Sequence, residues 1–110
     1  MKLKSGSFRD QDSFHKGSGT ATIYRGPDGS LLLRLENLDV TNGPDLRIIL
    51  SDHPDPMSKA AFQDSNYVEL DKLKGNIGNQ NYPIPADVDV LSYSSVVIYC
   101  KPFHVPFSVA

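Results

Sequence analysis

The feature that most constrains this chain is a recurring pattern of short apolar runs separated by turn residues. The runs are rich in β-branched, leucine and aromatic residues, and Gly, Pro, Asn and Asp stand between them. Such residues favour extended strands, and this spacing is typical of antiparallel sandwiches and barrels. The predicted strands are Thr20–Tyr24, Leu31–Leu35, Leu46–Ser51, Tyr67–Leu70, Asn81–Ile84, Val96–Lys101 and Phe103–Ser108. The sequence therefore predicts an all-β domain, an antiparallel β-sandwich or barrel of about seven to ten short strands.

Helix is a minor component of this prediction. The longest helical candidate, Pro56–Asp64, lacks a sustained apolar face at the 3.6-residue period. The clearest hairpin turn is Arg25–Ser30, which has a proline for an early turn position and a glycine for a position of positive φ. In the strand that follows, Leu31, Leu33 and Leu35 share one face, as expected of a sheet with one side against a core.

Length and composition indicate one folded domain over residues 1–110. A chain of 110 residues can bury roughly two-thirds of its unfolded surface without disulfides or a structural metal. No apolar run approaches the roughly 18 residues of a membrane span. The net charge is -2 and the 11 Lys and Arg residues are scattered singly, so we expect no nucleic-acid partner. The oligomeric state stays open.

Cys100, the single cysteine, lies in an apolar run that reads VVIYCKPFHVPF from Val96 to Phe107. A lone cysteine forms no disulfide within its own chain. In the predicted strand it shares a face with Ile98, while Lys101 falls on the opposite face. Because lysine is rarely buried, we expect Cys100 to point into the core, where thiols are usually inert.

The strand predicted after Pro102 alternates in the same way. Phe103, Val105 and Phe107 fall on one side of it and His104 on the other. His104 is therefore predicted to be a surface histidine that faces away from the aromatic side.

A copper site is an alternative interpretation of the same segment. Blue-copper sites use two histidines and one cysteine with a weak axial ligand, and their proteins are β-sandwiches of about this size. The candidate ligands are His15, His53, Met57, Cys100 and His104. No methionine follows Cys100 to supply the usual axial ligand, which makes a mononuclear copper protein the least favoured hypothesis.

Other patterns give no catalytic motif. Gly75 and Gly78 lie near lysines but are too closely spaced for a Walker loop, and we expect an ordered turn there. The acidic residues Asp52, Asp55 and Asp64 match no calcium-loop spacing and predict a solvated loop. No arrangement typical of a hydrolase, haem attachment, flavin, nicotinamide or iron–sulfur site is found. Enzymatic activity and any cofactor are therefore left undetermined.

The longest irregular stretch, Ser51–Asn66, is the first place to expect a binding surface, since loops of this length are often functional. Together with the turn at Asn76–Asn81, it would contact a protein or a glycan. This gives another hypothesis, a non-catalytic interaction domain in which Cys100 is a buried structural residue.

Several segments, taken in order, resemble the DM-thirteen domain family over nearly the whole chain. This family is described as an electron-transfer module often found beside DOMON domains in animal proteins. Its closing pattern is an aliphatic strand, an aromatic, a cysteine and Phe-x-Val-x-Phe, which Cys100, Phe103, Val105 and Phe107 match here. The similar segments are GSF from Gly6, HKGSGTATIY from His15, DGSLLLRLENLDVTNGPDLRIILS from Asp28, YVELDKLKGNIGNQNYPIP from Tyr67 and VDVLSYSSVVIYCKPFHVPFSVA from Val88.

The resemblance implies a mostly β redox domain with Cys100 as its redox-active group and a redox or surface protein as its partner. Tyr99 stands where the family often has tryptophan, and His104 falls in a variable position. His15 falls where the family commonly has histidine, although bonding to a neighbouring turn also accounts for it.

The resemblance also implies export or display at the cell surface. The residues from Met1 to Gly6 carry charge but lead into polar residues, not into the apolar core of a signal peptide. Either the protein is cytosolic or, as the resemblance implies, an export leader lies outside this chain.

Overall fold

The computed structural model describes residues 1–110, which form a sandwich of two antiparallel sheets. The strands are β1 (Lys2–Ser7), β2 (Arg9–Asp10), β3 (Gly17–Arg25), β4 (Leu31–Val40), β5 (Leu46–Ser51), β6 (Tyr67–Lys72), β7 (Ile77–Ile84), β8 (Ser95–Cys100) and β9 (Val105–Val109). The first sheet has the order β1-β3-β4-β7, and the second has the order β2-β9-β8-β5-β6. The predicted all-β antiparallel sandwich is confirmed.

Helix is limited to α1 (Lys59–Asp64) and a single 3₁₀ turn at Val90–Ser92. The helix lies within the candidate segment Pro56–Asp64, and it begins after Ser58, whose hydroxyl accepts a hydrogen bond from the amide of Ala61 (3.0 Å). Neither helical segment is long and apolar enough to cross a membrane.

The N-terminal strands were not predicted, because β1 and β2 consist mainly of charged, small and polar residues. They are extended because they pair with β3 and β9, which are longer and more apolar. The predicted last strand, Phe103–Ser108, starts too early. Cys100 pairs with Val105, so residues 101–104 form the hairpin turn and His104 takes a left-handed conformation (φ 55).

The main core lies between the sheets. The side chains of Leu33 and Leu35 in β4 are buried there, as the alternation predicted. A bulge at Asn37 (φ 53) then shifts the parity, so that Leu38 also points inward. Gly19 lies opposite this bulge with φ +107, and a Cβ atom there would stand 2.7 Å from the carbonyl oxygen of Asn37. Only glycine fits at that position.

A second, smaller core, which we call the outer core, covers the outer face of the second sheet. Phe62 of α1 is fully buried against it, and its ring stacks on Tyr99 with centroids 4.2 Å apart. The remaining buried members of this cluster are Ile49, Val97 and Val109. Both faces of β8 are therefore buried, whereas the place of Lys101 opposite Cys100 in the predicted strand indicated an exposed face there. The segment between β5 and β6 folds back and shields the other face from water.

Four connections meet at one end of the sandwich, which we call the loop end. Its third segment is held to the end of β4, where the side-chain N–H of Asn76 donates to the carbonyl of Val40 (3.1 Å). The four segments are Gln11–Lys16, Thr41–Asp45, Leu73–Asn76 and Lys101–His104.

Backbone hydrogen bonds join the remaining segments of the loop end. The amide of Thr41 donates to the carbonyl of Lys16 (2.9 Å), and that of Lys101 donates to the carbonyl of Asp45 (3.4 Å). The loop end therefore brings together segments that are far apart in the sequence.

Candidate functional site

Cys100 is the last residue of β8 and lies directly beneath the loop end. Its side chain is 0% exposed and belongs to the main core, so the predicted inward orientation is confirmed. The thiol donates a hydrogen bond to the carbonyl oxygen of Pro44, with an S···O distance of 3.3 Å. A thiol is a weak donor, so this contact adds little to the free energy of unfolding. The contact shows that the hydrogen-bond acceptor of the thiol belongs to a loop and not to a strand.

The segment Thr41–Asp45 covers this thiol closely. Gly43 packs on the ring of Phe107, where an added Cβ atom would stand 2.6 Å from the nearest ring carbon. At the end of the segment, the carboxylate of Asp45 accepts a hydrogen bond from Arg47 (2.8 Å). This hydrogen bond holds the pKa of Asp45 below its ordinary value. The segment that covers Cys100 is therefore held by a close apolar contact at Gly43 and by the ion pair of Asp45 with Arg47.

A polar groove of about 510 Å³ runs along the outside of this cover. It is lined by Asn42, Gly43 and Asp45 of the covering segment and by residues of the β6–β7 connection. The covering segment therefore lies between this groove and Cys100, whose sulfur contacts Pro44.

His15 also lies at the loop end, in the turn that precedes β3. Its ring packs on Phe107 with centroids 4.6 Å apart. Its Nδ1 atom lies 2.9 Å from both carboxylate oxygens of Asp12, and this hydrogen bond lowers the pKa of Asp12. The imidazole thus bonds to its own turn, as one of the two interpretations of the sequence expected.

The candidate copper ligands are not gathered into one site. His53 belongs to the segment between β5 and β6, where its Nδ1 accepts a hydrogen bond from the amide of Asp55 (2.8 Å). Met57 packs on the outer core, on the other face of the sheet from Cys100. No three His, Cys, Asp or Glu side chains lie together in an arrangement that could hold a metal ion. The geometry therefore offers no assembled ligand set for the copper hypothesis.

His104 is exposed, as predicted, but it contacts an aromatic residue. Its Nδ1 lies 3.1 Å from the hydroxyl of Tyr99, across the turn that joins β8 to β9. Burial raises the pKa of the Tyr99 phenol above its ordinary value. Phe103 was predicted to share one side of a strand with Phe107, and this is wrong. It lies in the turn, not in a strand, and is 65% exposed.

The segment Ser51–Asn66, expected to be a binding surface, has a structural role over much of its length. Its helix buries Phe62, and the hydroxyl of Ser51 donates to that of Ser65 (2.8 Å). Asp52 accepts hydrogen bonds from both the backbone and the side chain of Asn66, which closes the base of the segment.

The ordered turn predicted at Gly75 and Gly78 is present at Gly75, but Gly78 and most of the predicted turn Asn76–Asn81 belong to strand β7. The carbonyl of Gly75 accepts a hydrogen bond from the side chain of Gln80 (2.6 Å). The amide of Lys74 donates to the hydroxyl of Tyr82 (2.7 Å), and strand β7, not a helix, follows. A phosphate-binding loop opens into the N-terminus of a helix, and no helix follows this turn.

The sequence pattern missed two features of this region. One is the pair of exposed aromatic side chains at the loop end, Phe14 (80% exposed) and Phe103 (65% exposed). The other is the row of aromatic rings on the outer face, in which Phe62 stands between Tyr67 and Tyr99. The contact of His104 with Tyr99 follows from a four-residue hairpin turn, and a correct boundary for β9 could have revealed it.

Comparison with known proteins gives one family. No curated protein and no solved structure matches this chain. A family model described as "Electron transfer DM13" matches residues 7–110, from the end of β1 to the last residue. Cys100 and the loop end fall within the matched residues. The chain therefore belongs to the DM13 electron-transfer family.

Proposed function

We propose that this chain is an electron-transfer domain in which Cys100 is the redox-active group and the segment Thr41–Asp45 controls access to it. Membership of the DM13 family supports the general activity. The observation that carries the specific proposal is the contact of the Cys100 sulfur with the carbonyl of Pro44. Pro44 belongs to the connection between β4 and β5, which contains no helix or strand.

Opening of this segment would expose the thiol without dismantling the sheets. The strands on either side, β4 and β5, are each paired with two neighbours and are held independently of the connection between them. Short connections with few buried contacts open at a lower free energy than core strands do. The polar groove outside the segment supplies the space into which it would move.

The loop end also supplies a surface on which a redox partner protein would dock. Phe14 and Phe103 are exposed there, and aromatic residues are enriched at protein interfaces. Docking at this end would place the partner over the cover of Cys100. Since the family is usually exported or displayed at the cell surface, we propose the same location for this protein and a partner from that compartment.

Protein-film voltammetry of the native chain tests the redox role. We expect a reversible wave in the wild type that is lost in Cys100→Ala, a variant that keeps an apolar residue in the core. Titration with a thiol reagent, with and without denaturant, measures access to the sulfur in the same preparation. The proposal is wrong if Cys100→Ala keeps the wave while its circular dichroism spectrum is that of the wild type, or if the wild type gives no wave.

A non-catalytic interaction domain is the second candidate function, and the complete burial of Cys100 favours it. In that case the cysteine fills core volume and the exposed aromatic residues at the loop end bind a protein or a glycan. Reaction of the thiol only under globally unfolding conditions, together with the absence of a wave, would support this alternative over the redox role.

A further inference from the structure

Tyr99 is a buried tyrosine whose phenol is paired with a base. The ring is 5% exposed, and its hydroxyl lies 3.1 Å from Nδ1 of His104. That distance is within the range of about 2.6–3.2 Å over which a positioned side chain takes up a proton. The imidazole is exposed on its turn, so water can solvate the positive charge that a proton received at Nδ1 places on the ring.

Tyr82 provides an internal comparison, since it is also a buried tyrosine. Its ring is 1% exposed, and its hydroxyl donates to the amide oxygen of Gln80 at 2.6 Å. An amide oxygen accepts a hydrogen bond but is too weak a base to take the proton near neutral pH. The two phenols are therefore similarly buried but differ in whether a base is within reach.

Aromatic contacts connect Tyr99 to the protein surface. Its ring stacks on Phe62 at a centroid distance of 4.2 Å, and Phe62 lies 4.5 Å from Tyr67. Tyr67 is 49% exposed at the edge strand β6. The row thus runs from solvent at Tyr67 through the outer core to the Tyr99–His104 pair, with each ring in contact with the next.

We infer that Tyr99 and His104 form a proton-coupled electron-transfer site. In this step, one electron leaves the Tyr99 ring for a one-electron oxidant, an oxidised transition-metal centre of a partner protein. The phenolic O–H bond breaks, and an N–H bond forms at Nδ1 of His104. The products are a neutral tyrosyl radical and an imidazolium. The return of one electron and of the same proton restores both groups. The inference rests on the proposed electron-transfer function, but it assigns the electron to a side chain other than Cys100.

Flash photolysis of the full chain with a ruthenium polypyridyl complex as photo-oxidant tests this assignment. Transient absorption and electron paramagnetic resonance then detect any tyrosyl radical. We expect a radical in the wild type, its loss in Tyr99→Phe, and its retention in Tyr82→Phe, which serves as the matched control. Both variants keep the ring and remove only the hydroxyl. In His104→Gln, loss of the base should slow radical formation by about 100-fold, the low end of what a positioned base contributes.

Tyr67 is more exposed and could be oxidised itself, so each measurement is repeated in a Tyr67→Phe background, which preserves the aromatic row. The inference is overturned if Tyr99→Phe leaves the radical yield unchanged in that background, or if His104→Gln forms the radical as fast as the parent does. Repeating the experiment in Cys100→Ala separates it from the proposed role of the cysteine. A Tyr99 radical that persists without Cys100 supports the inference even if voltammetry shows no cysteine wave. A cysteine wave without a Tyr99 radical supports only the role of Cys100.

Discussion

Substitution of Gly43 by alanine tests whether the segment Thr41–Asp45 controls access to Cys100. The added methyl group would stand 2.6 and 2.7 Å from two ring carbons of Phe107, so the segment and the ring must separate. Overpacking of this kind typically costs about 1–3 kcal/mol. If opening of the segment relieves this strain, the open state becomes more populated by about 5-fold to about 140-fold, because each 1.4 kcal/mol is a factor of about ten.

The assay is the rate at which a thiol reagent labels Cys100 in the folded protein. We expect Gly43→Ala to raise this rate by the same factor, with little dependence on low concentrations of urea, because local opening exposes little surface. The matched control is Gly75→Ala in the neighbouring connection, where the nearest atom to a new Cβ lies 3.8 Å away. Its labelling rate should stay within about twofold of the wild type.

Two results would refute this reasoning. One is an unchanged labelling rate in Gly43→Ala. The other is a labelling rate whose urea dependence matches that of global unfolding, for which the free energy changes by about 1–3 kcal/mol per molar urea. In that case the increase in labelling rate in Gly43→Ala would correspond to the loss in the global free energy of unfolding. Either result would mean that Cys100 reacts only from the unfolded chain, and the interaction domain would then be the better proposal.

Three further predictions concern stability. Phe62→Ala should lower the free energy of unfolding by about 3–5 kcal/mol in urea titrations, since Phe62 is fully buried. Phe103→Ala should change it little, because Phe103 is exposed. Equal losses in the two variants would contradict the assignment of an outer core. Burial raises the pKa of the phenols of Tyr82 and Tyr99, so the folded state holds these protons more tightly than the unfolded chain. This stabilising contribution is complete below pH of about 10 and is lost as pH rises through the folded-state pKa, and Tyr99→Phe should flatten the decline seen in unfolding experiments at alkaline pH. Gly19→Ala should destabilise the fold by about 1–3 kcal/mol by thermal unfolding, because the new methyl group meets backbone oxygens at a positive φ; an unchanged midpoint would refute the role given to this glycine in the bulge.

The loop contact that covers Cys100 and the aromatic row show why part of the site could not be predicted. Both depend on pairs that are distant in the sequence. Cys100 meets the carbonyl of Pro44, and Phe62 meets Tyr99. Neither pair leaves a periodic signal, because a contact across a sandwich or between a helix and a sheet depends on strand order. Alternation within one strand reports only which of two faces a residue shares.

The sequence by itself determined the strand-rich architecture, the hairpin before Leu31 and the inward orientation of Cys100. These follow from local propensities and from the two-residue period of a strand, which need no knowledge of distant partners. Only the tertiary structure decided that both faces of β8 are buried, that β1 and β2 are strands, and that His104 meets Tyr99. In each case the deciding energy comes from a partner elsewhere in the chain, either a helix that excludes water from an apolar face or a neighbouring strand that supplies the hydrogen bonds.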